Sequence, residues 1–140
     1  MTTEWTVHPN RFELGPDKPG RNGHYRALRG QRARLPEEKC QARVTLPRQL
    51  AQFADEDGTA TFAGPDWRFV VGAARSFARQ HNSCTTLPDP FGFKDNGRWR
   101  WWDGTQTAES ILDGADAGEH VRRYLKQLFP RAPIDISDRR

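Results

Sequence analysis

The sequence has little of several features that would point directly to one class of protein. Its two cysteines, Cys40 and Cys84, are too few for the disulfide framework of a small secreted domain. No stretch approaches the roughly 20 consecutive apolar residues that a membrane-spanning helix needs. Residues Met1–Phe12 lack the basic patch and apolar run of a signal peptide. We therefore expect a cytoplasmic protein that has no membrane partner.

Sequence motifs for metal ions and nucleotides are also missing. The four histidines and two cysteines are scattered, without a Cys-x-x-Cys or His-x-x-x-His pair. The glycines at Gly20 and Gly23 lack the following Lys-Ser or Lys-Thr that a phosphate-binding loop requires. We predict no metal site and no cofactor.

Only 35% of the residues are apolar, whereas 29% are charged. The apolar residues include eight phenylalanines and five tryptophans, and each of these side chains can bury about 150–250 Å². We therefore expect a core of few but large side chains. A length of 140 residues suits one domain, and we predict a domain over residues 1–130 followed by a C-terminal tail at 131–140.

The pattern of apolar residues and turn formers predicts an α+β fold. Strands are expected at His24–Leu28, Gln41–Leu46 and Thr59–Ala63. Pro47 suits the first position of a helix that should end near Gly58. We expect a small antiparallel sheet packed against one long central helix and a C-terminal helix.

The long central helix should begin at Asp66, which is a good N-cap. Apolar side chains then recur at spacings of three and four residues as far as His81. Thr107 should cap a short helix, and Asp116 with Glu119 has the capping-box spacing of a last helix, which Pro130 ends.

The most distinctive feature is a hairpin rich in Trp and Arg. Asn96-Gly97 favours a tight turn because both positions accept a positive φ. Alternation along the second strand places Trp99 and Trp101 on one face and Arg98, Arg100 and Trp102 on the other. One interpretation is that the indoles cover the long helix. The other is that some of them stay exposed and bind a partner, since Trp and Arg are enriched in binding hot spots.

The residues of this hairpin resemble a short Trp-rich actinobacterial domain of unknown function. The shared residues are Asp89-Pro90-x-Gly92 and Arg100-Trp101-Trp102-Asp103-Gly104-Thr105, within about residues 87–107. The sequence departs from that pattern at Thr86, Leu87 and Thr107, where the domain has aromatic residues. The resemblance implies a compact β unit that serves as an interaction module, and it implies no chemistry.

Charge is distributed unevenly along the chain, whose net charge is +4. The segment Lys18–Arg48 contains nine Lys or Arg residues and only Glu37 and Glu38 as acids, which predicts a local positive field. We expect a binding protein rather than an enzyme, with nucleic acid as the first candidate partner. The predicted binding residues are Arg21, Arg26, Arg29, Arg32, Arg34, Arg98, Trp99, Arg100, Trp101 and Trp102.

Two other functions stay open. The protein could be a regulator or inhibitor of the kind that mobile elements carry, with the Trp hairpin anchored in a protein partner. It could also be a metal-independent ribonuclease, in which His24, Glu37 or Glu38, and neighbouring arginines supply the acid, the base and the cation. A Cys84 nucleophile beside His81 is disfavoured, because the C-terminal end of a helix carries the negative end of the helix dipole and does not stabilise a thiolate.

Overall fold

The computed structural model describes residues 13–16, 23–28, 38–81, 87–88 and 90–140. Within them, five strands form one sheet in the order β1-β2-β4-β3-β7, and two strands form a separate hairpin, β5-β6. The strands are β1 (Glu13–Pro16), β2 (His24–Leu28), β3 (Cys40–Thr45), β4 (Thr59–Gly64), β5 (Phe91–Asp95), β6 (Arg98–Trp101) and β7 (Ile134–Asp138).

Three α-helices accompany the sheet, and a short 3-10 helix precedes β4. The helices are α1 (Trp67–His81), α2 (Ala108–Asp113) and α3 (Ala117–Leu128), and the 3-10 helix spans Arg48–Phe53. The predicted α+β class is confirmed. All neighbouring strands of the larger sheet are antiparallel except β2 and β4, which run parallel.

Alternation along β3 defines the two faces of the sheet. Cys40, Ala42 and Val44 are buried, whereas Arg43 and Thr45 are exposed. Helix α1 packs across β2 and β4, and α3 packs against α1 and β7. The apolar face of the sheet is therefore the face that the helices cover, and the opposite face is polar.

Helix α1 forms as its sequence predicts. The Asp66 carboxylate accepts a hydrogen bond of 2.9 Å from the backbone N–H of Arg68, which satisfies one of the unpaired donors at the helix start. Most of the apolar side chains that recur along this helix are completely buried. The buried ones are Trp67, Val70, Val71, Ala74, Phe77 and Ala78.

Aromatic rings fill the centre of the core. The Phe77 ring lies 5.0 Å from Tyr25 and 5.5 Å from Phe62, both edge-to-face, and 6.0 Å from Phe129. These separations suit favourable contacts between aromatic rings. A few large side chains thus supply the core, as the low apolar content of the sequence requires.

Two predictions about helix starts have different outcomes. Thr107 caps α2, since its hydroxyl accepts from the backbone N–H of Ser110. The capping box of the last helix is wrong, because the Asp116 side chain forms no capping hydrogen bond and Glu119 is instead paired with Arg122. The helix predicted after Pro47 is a 3-10 helix rather than an α-helix.

The predicted C-terminal tail is also wrong. Ile134–Asp138 form β7, which pairs antiparallel with β3 over five residue pairs, from Cys40 with Asp138 to Val44 with Ile134. Ile134 and Ile136 pack against the core. The alternation of apolar and polar residues in this short segment is the strand signal, and the prolines at Pro130 and Pro133 mask it in the sequence.

No helix in the described part of the chain is long and apolar enough to cross a membrane.

The close approach of β4 to α1 gives a test of the packing. A Cβ atom added at Gly64 would lie 2.2 Å from Cβ of Phe69, which is far inside contact distance. We expect Gly64→Ala to lower the free energy of unfolding by about 1–3 kcal/mol, as measured by urea denaturation. The control is Gly92→Ala, where the added Cβ would meet its nearest atoms at 3.4 Å and the loss of backbone freedom in the unfolded chain favours stability. Equal effects of the two substitutions would contradict this packing.

Candidate functional site

The Trp hairpin has the turn that its sequence predicts. Asn96 and Gly97 have φ values of 51° and 79°, as a tight hairpin turn requires. Asp95 lies opposite Arg98, and Lys94 lies opposite Trp99. A bulge between Phe91 and Lys94 shifts the register before Phe91 pairs with Trp101.

The three indoles of the hairpin are buried to different extents. Trp101 is completely buried, with its ring 6.4 Å from Phe91 and 5.8 Å from Tyr124. Trp99 and Trp102 are half-buried and pack against the edge of the core. The prediction that Trp101 belongs to a binding surface is therefore corrected, since its ring has no exposed atoms to offer a partner.

Trp102 is held by helix α3. Its ring lies 6.2 Å from that of Tyr124. The indole Nε1 atom is buried and has no hydrogen-bond acceptor within the described residues. Burying this N–H group without an acceptor costs free energy, and the contact with Tyr124 helps to offset that cost.

The two arginines of the hairpin differ in their surroundings. Arg100 forms an ion pair with Asp95, with its Nη2 3.1 Å and its Nε 3.3 Å from the carboxylate oxygen. Arg98 is exposed. The strand therefore presents one neutralised arginine and one arginine whose charge is open to a partner.

The predicted binding residues do not include two exposed cations of helix α3, which contacts the hairpin through Tyr124. Arg123 and Lys126 are exposed on α3, and Arg123 directly precedes the Tyr124 that contacts Trp101 and Trp102. The amphipathic pattern of α3 was the available signal, because its apolar stripe leaves these positions on the solvent face. Arg122, by contrast, is paired with Glu119.

Four of the nine basic residues of the segment Lys18–Arg48 are described, and two of these, Arg26 and Arg43, are paired with acidic side chains. Arg21, Arg29, Arg32 and Arg34 lie outside the residues that the structure describes. Arg26 is only 7% exposed, and its Nη2 donates to Glu38. The prediction that Arg26 contacts a partner is corrected, because its guanidinium is buried and its charge is balanced by Glu38.

The positive charge of Arg43 is likewise balanced by acidic side chains. It lies 4.0 Å from the Asp55 carboxylate and 3.7 Å from that of Asp57. Partial burial acts to raise the pKa of Asp55, but hydrogen bonds from Thr59 and Asp57 and the charge of Arg43 outweigh it, so the pKa lies below its ordinary value. The basic and acidic stretches that are separate in the sequence are therefore adjacent in space.

The hairpin and two arginines of the basic segment, Arg26 and Arg43, lie on opposite sides of the sheet. Arg26 and Arg43 occupy the polar face, since their strand neighbours Tyr25 and Ala42 point into the core. The hairpin packs on Tyr124 of α3, in the helical layer. One partner could not contact both sets of residues on a single face.

The residues of the ribonuclease hypothesis lie partly together. His24 is half-buried on β2, opposite Thr61 of β4, and Arg26 follows two residues later on the same face with Glu38 bound to it. Glu37 is outside the described residues. His24 as a catalytic residue stays a prediction, and a phosphate could reach Arg26 only by displacing Glu38.

The remaining reactive side chains are explained by packing. Burial raises the pKa of the Cys40 thiol to about 12, and the nearby Asp138 adds to this effect, so the thiolate needed for nucleophilic chemistry does not form near neutral pH. The His81 ring stacks on Phe53 with 3.7 Å between centroids, and burial lowers its pKa. Cys84 lies outside the described residues. Within the described chain, no three His, Cys, Asp or Glu side chains are grouped to hold a metal ion.

The difference in burial between Trp101 and Arg98 gives a second prediction. Trp101→Ala should lower the free energy of unfolding by about 3–5 kcal/mol, because it removes a completely buried indole. Arg98→Ala should change it by no more than about 0.5 kcal/mol. Urea denaturation measures both, and Trp101→Phe serves where the alanine variant does not fold. A Trp101→Ala variant as stable as Arg98→Ala would contradict the buried position.

Comparison with known proteins gives no match: no family model, curated protein or solved structure is similar to this chain. The resemblance of the hairpin to the actinobacterial domain therefore stays a prediction.

Proposed function

We propose that this protein binds a single strand of nucleic acid through the surface formed by the hairpin β5-β6 and helix α3, here called the hairpin–α3 surface. One observation carries the proposal. Four exposed cations, Lys94 and Arg98 of the hairpin and Arg123 and Lys126 of α3, are in no ion pair with a described acidic residue. The half-buried indoles of Trp99, in β6, and Trp102, directly after it, pack against the core in the same hairpin.

The cations and the indoles supply two complementary interactions. Lysine and arginine side chains neutralise phosphates and release the ions condensed around them, which makes the affinity depend on salt. An aromatic ring with one accessible part offers a base a stacking partner, which contributes about 1–3 kcal/mol per base. Lys94 lies opposite Trp99 in the hairpin, so that a phosphate and its base could be bound side by side.

A single strand suits this surface better than a duplex. The bases of a duplex are stacked on one another, and reaching an indole at the edge of the core would require them to unstack. The bases of a single strand are available for stacking at little cost. We therefore expect tighter binding of single-stranded than of double-stranded oligonucleotides at equal salt.

Fluorescence anisotropy with labelled single- and double-stranded oligonucleotides tests the proposal. Affinity should fall steeply as salt rises, and Arg98→Ala or Arg123→Ala should each weaken binding and reduce the salt slope by about 1. Trp99→Ala should weaken binding about 5- to 150-fold, the equivalent of about 1–3 kcal/mol. The matched control is Arg48→Ala, which removes an exposed arginine of the Lys18–Arg48 segment at the 3-10 helix and should leave affinity nearly unchanged.

Two outcomes would overturn the proposal. The first is that neither oligonucleotide binds at low salt. The second is that Arg48→Ala weakens binding as much as Arg98→Ala, which would move the contact away from the hairpin–α3 surface. A protein partner that is captured stoichiometrically, survives nuclease treatment and is lost in Trp99→Ala would instead favour the regulator hypothesis.

A further inference from the structure

Strand β7 forms one edge of the five-stranded sheet. The backbone N–H of Thr45 donates to the carbonyl of Pro133, and that of Arg139 donates to the carbonyl of Lys39. In an antiparallel ladder, alternate residues direct their backbone groups to opposite sides. Residues Asp135 and Ser137 therefore bond to β3, whereas the backbone groups of Ile134, Ile136 and Asp138 point to the open edge.

This edge carries charged residues but lacks two other features that protect edge strands, a proline and a bulge. The strand contains no proline and no bulge between Ile134 and Asp138, and two of its side chains, Ile134 and Ile136, are apolar and only half-buried. An unpaired edge of this kind is a template for another strand. In the described part of the chain, no strand lies on the outer side of β7.

The charges along β7 would be complementary if two copies of the strand paired in the antiparallel direction. Asp135 and Arg139 are four residues apart, both are exposed, and both lie on the polar face of the sheet with Ser137 midway between them. If two copies of the strand run antiparallel about a two-fold axis at Ser137, Asp135 of each copy lies opposite Arg139 of the other. Because these residues occupy non-hydrogen-bonded positions of the new ladder, their side chains come closer than those of hydrogen-bonded pairs.

We propose that a second copy of this chain pairs with β7 in this register, joining the two sheets into one that contains ten described strands. The backbone groups of Ile136 and Asp138 form the central hydrogen bonds, and two Asp135–Arg139 ion pairs fix the register. Asp138 brings little repulsion, since Arg140 neutralises it within each copy, with 2.9 Å between Nη2 and the carboxylate. A two-fold axis at Ile136 would place Asp135 opposite Ser137, so that neither Asp135–Arg139 ion pair between the copies would form.

The pairing is independent of the hairpin–α3 surface and should be reversible. Strand pairing alone buries less surface than the roughly 1,600 Å² of a standard stable interface, so we expect a dimer that dissociates on dilution. Sedimentation equilibrium of the full chain over a wide range of concentrations should show a monomer–dimer equilibrium.

A charge exchange tests the register. Asp135→Arg should raise the dissociation constant of the dimer at least about tenfold, because both ion pairs become repulsive. Arg139→Asp should act in the same direction, and the double variant with both substitutions should restore the dimer. Circular dichroism and thermal unfolding verify that each variant is folded, which is expected because both side chains are exposed.

A cysteine at the proposed axis gives a second readout. Ser137→Cys should yield a covalent dimer under oxidising conditions, whereas the wild-type chain, with its own Cys40 and Cys84, provides the background. A wild-type chain that stays monomeric at all concentrations would overturn the proposal. A dimer that Asp135→Arg leaves unchanged, or a folded double variant that stays monomeric, would overturn the register.

Discussion

Tyr124 joins the Trp hairpin to the helical layer, and the position of the hairpin depends on it. Its completely buried ring contacts the rings of both Trp101 and Trp102. Its hydroxyl donates a hydrogen bond of 2.6 Å to the carbonyl of Pro88, which also accepts one of 2.8 Å from Nη1 of Arg75 on α1. The chain that enters the hairpin and the chain that leaves it are thus tied to the same helix pair.

The packing around Tyr124 also decides which indoles can contact a partner. Trp101 lies between Phe91 and Tyr124 and belongs to the core. Trp99 and Trp102 lie at the rim of that packing, where each keeps part of its ring accessible. A hairpin fixed in this way presents its accessible groups in one arrangement, and such preorganisation lowers the entropic cost of binding.

Several arginine side chains of this protein are held in ion pairs and hydrogen bonds that stabilise the fold. The guanidinium of Arg26 is paired with Glu38, and that of Arg68 with Asp113 in two hydrogen bonds of 2.7 and 3.0 Å. Arg140 donates to the carbonyls of Leu112 and Gly114 at the end of α2. Counting arginines along the sequence therefore overstates the cationic surface, and the side chains left open to solvent decide where an anionic partner could bind.

The sequence predicted the elements whose signals are local. Asn96-Gly97 requires a tight turn by its backbone preferences, and the stripe of α1 follows from helical spacing alone. Prediction from the sequence failed where residues far apart along the chain determine the structure. The acids that neutralise Arg43 are twelve and fourteen residues away, and β7 becomes a strand because β3 offers it an edge. Arg123 was not among the predicted binding residues, because the contact of its neighbour Tyr124 with the hairpin has no signal in the sequence.

The most direct test of the hairpin–α3 surface follows the indole N–H signals of the protein by NMR during titration with a single-stranded oligonucleotide. The signal of Trp99 should shift together with the backbone signals of Arg98 and Arg123. Those of the completely buried Trp67 and Trp101 should shift little. Shifts centred on His24, Arg26 and Arg43 of the polar sheet face, with the hairpin indoles unchanged, would contradict the account.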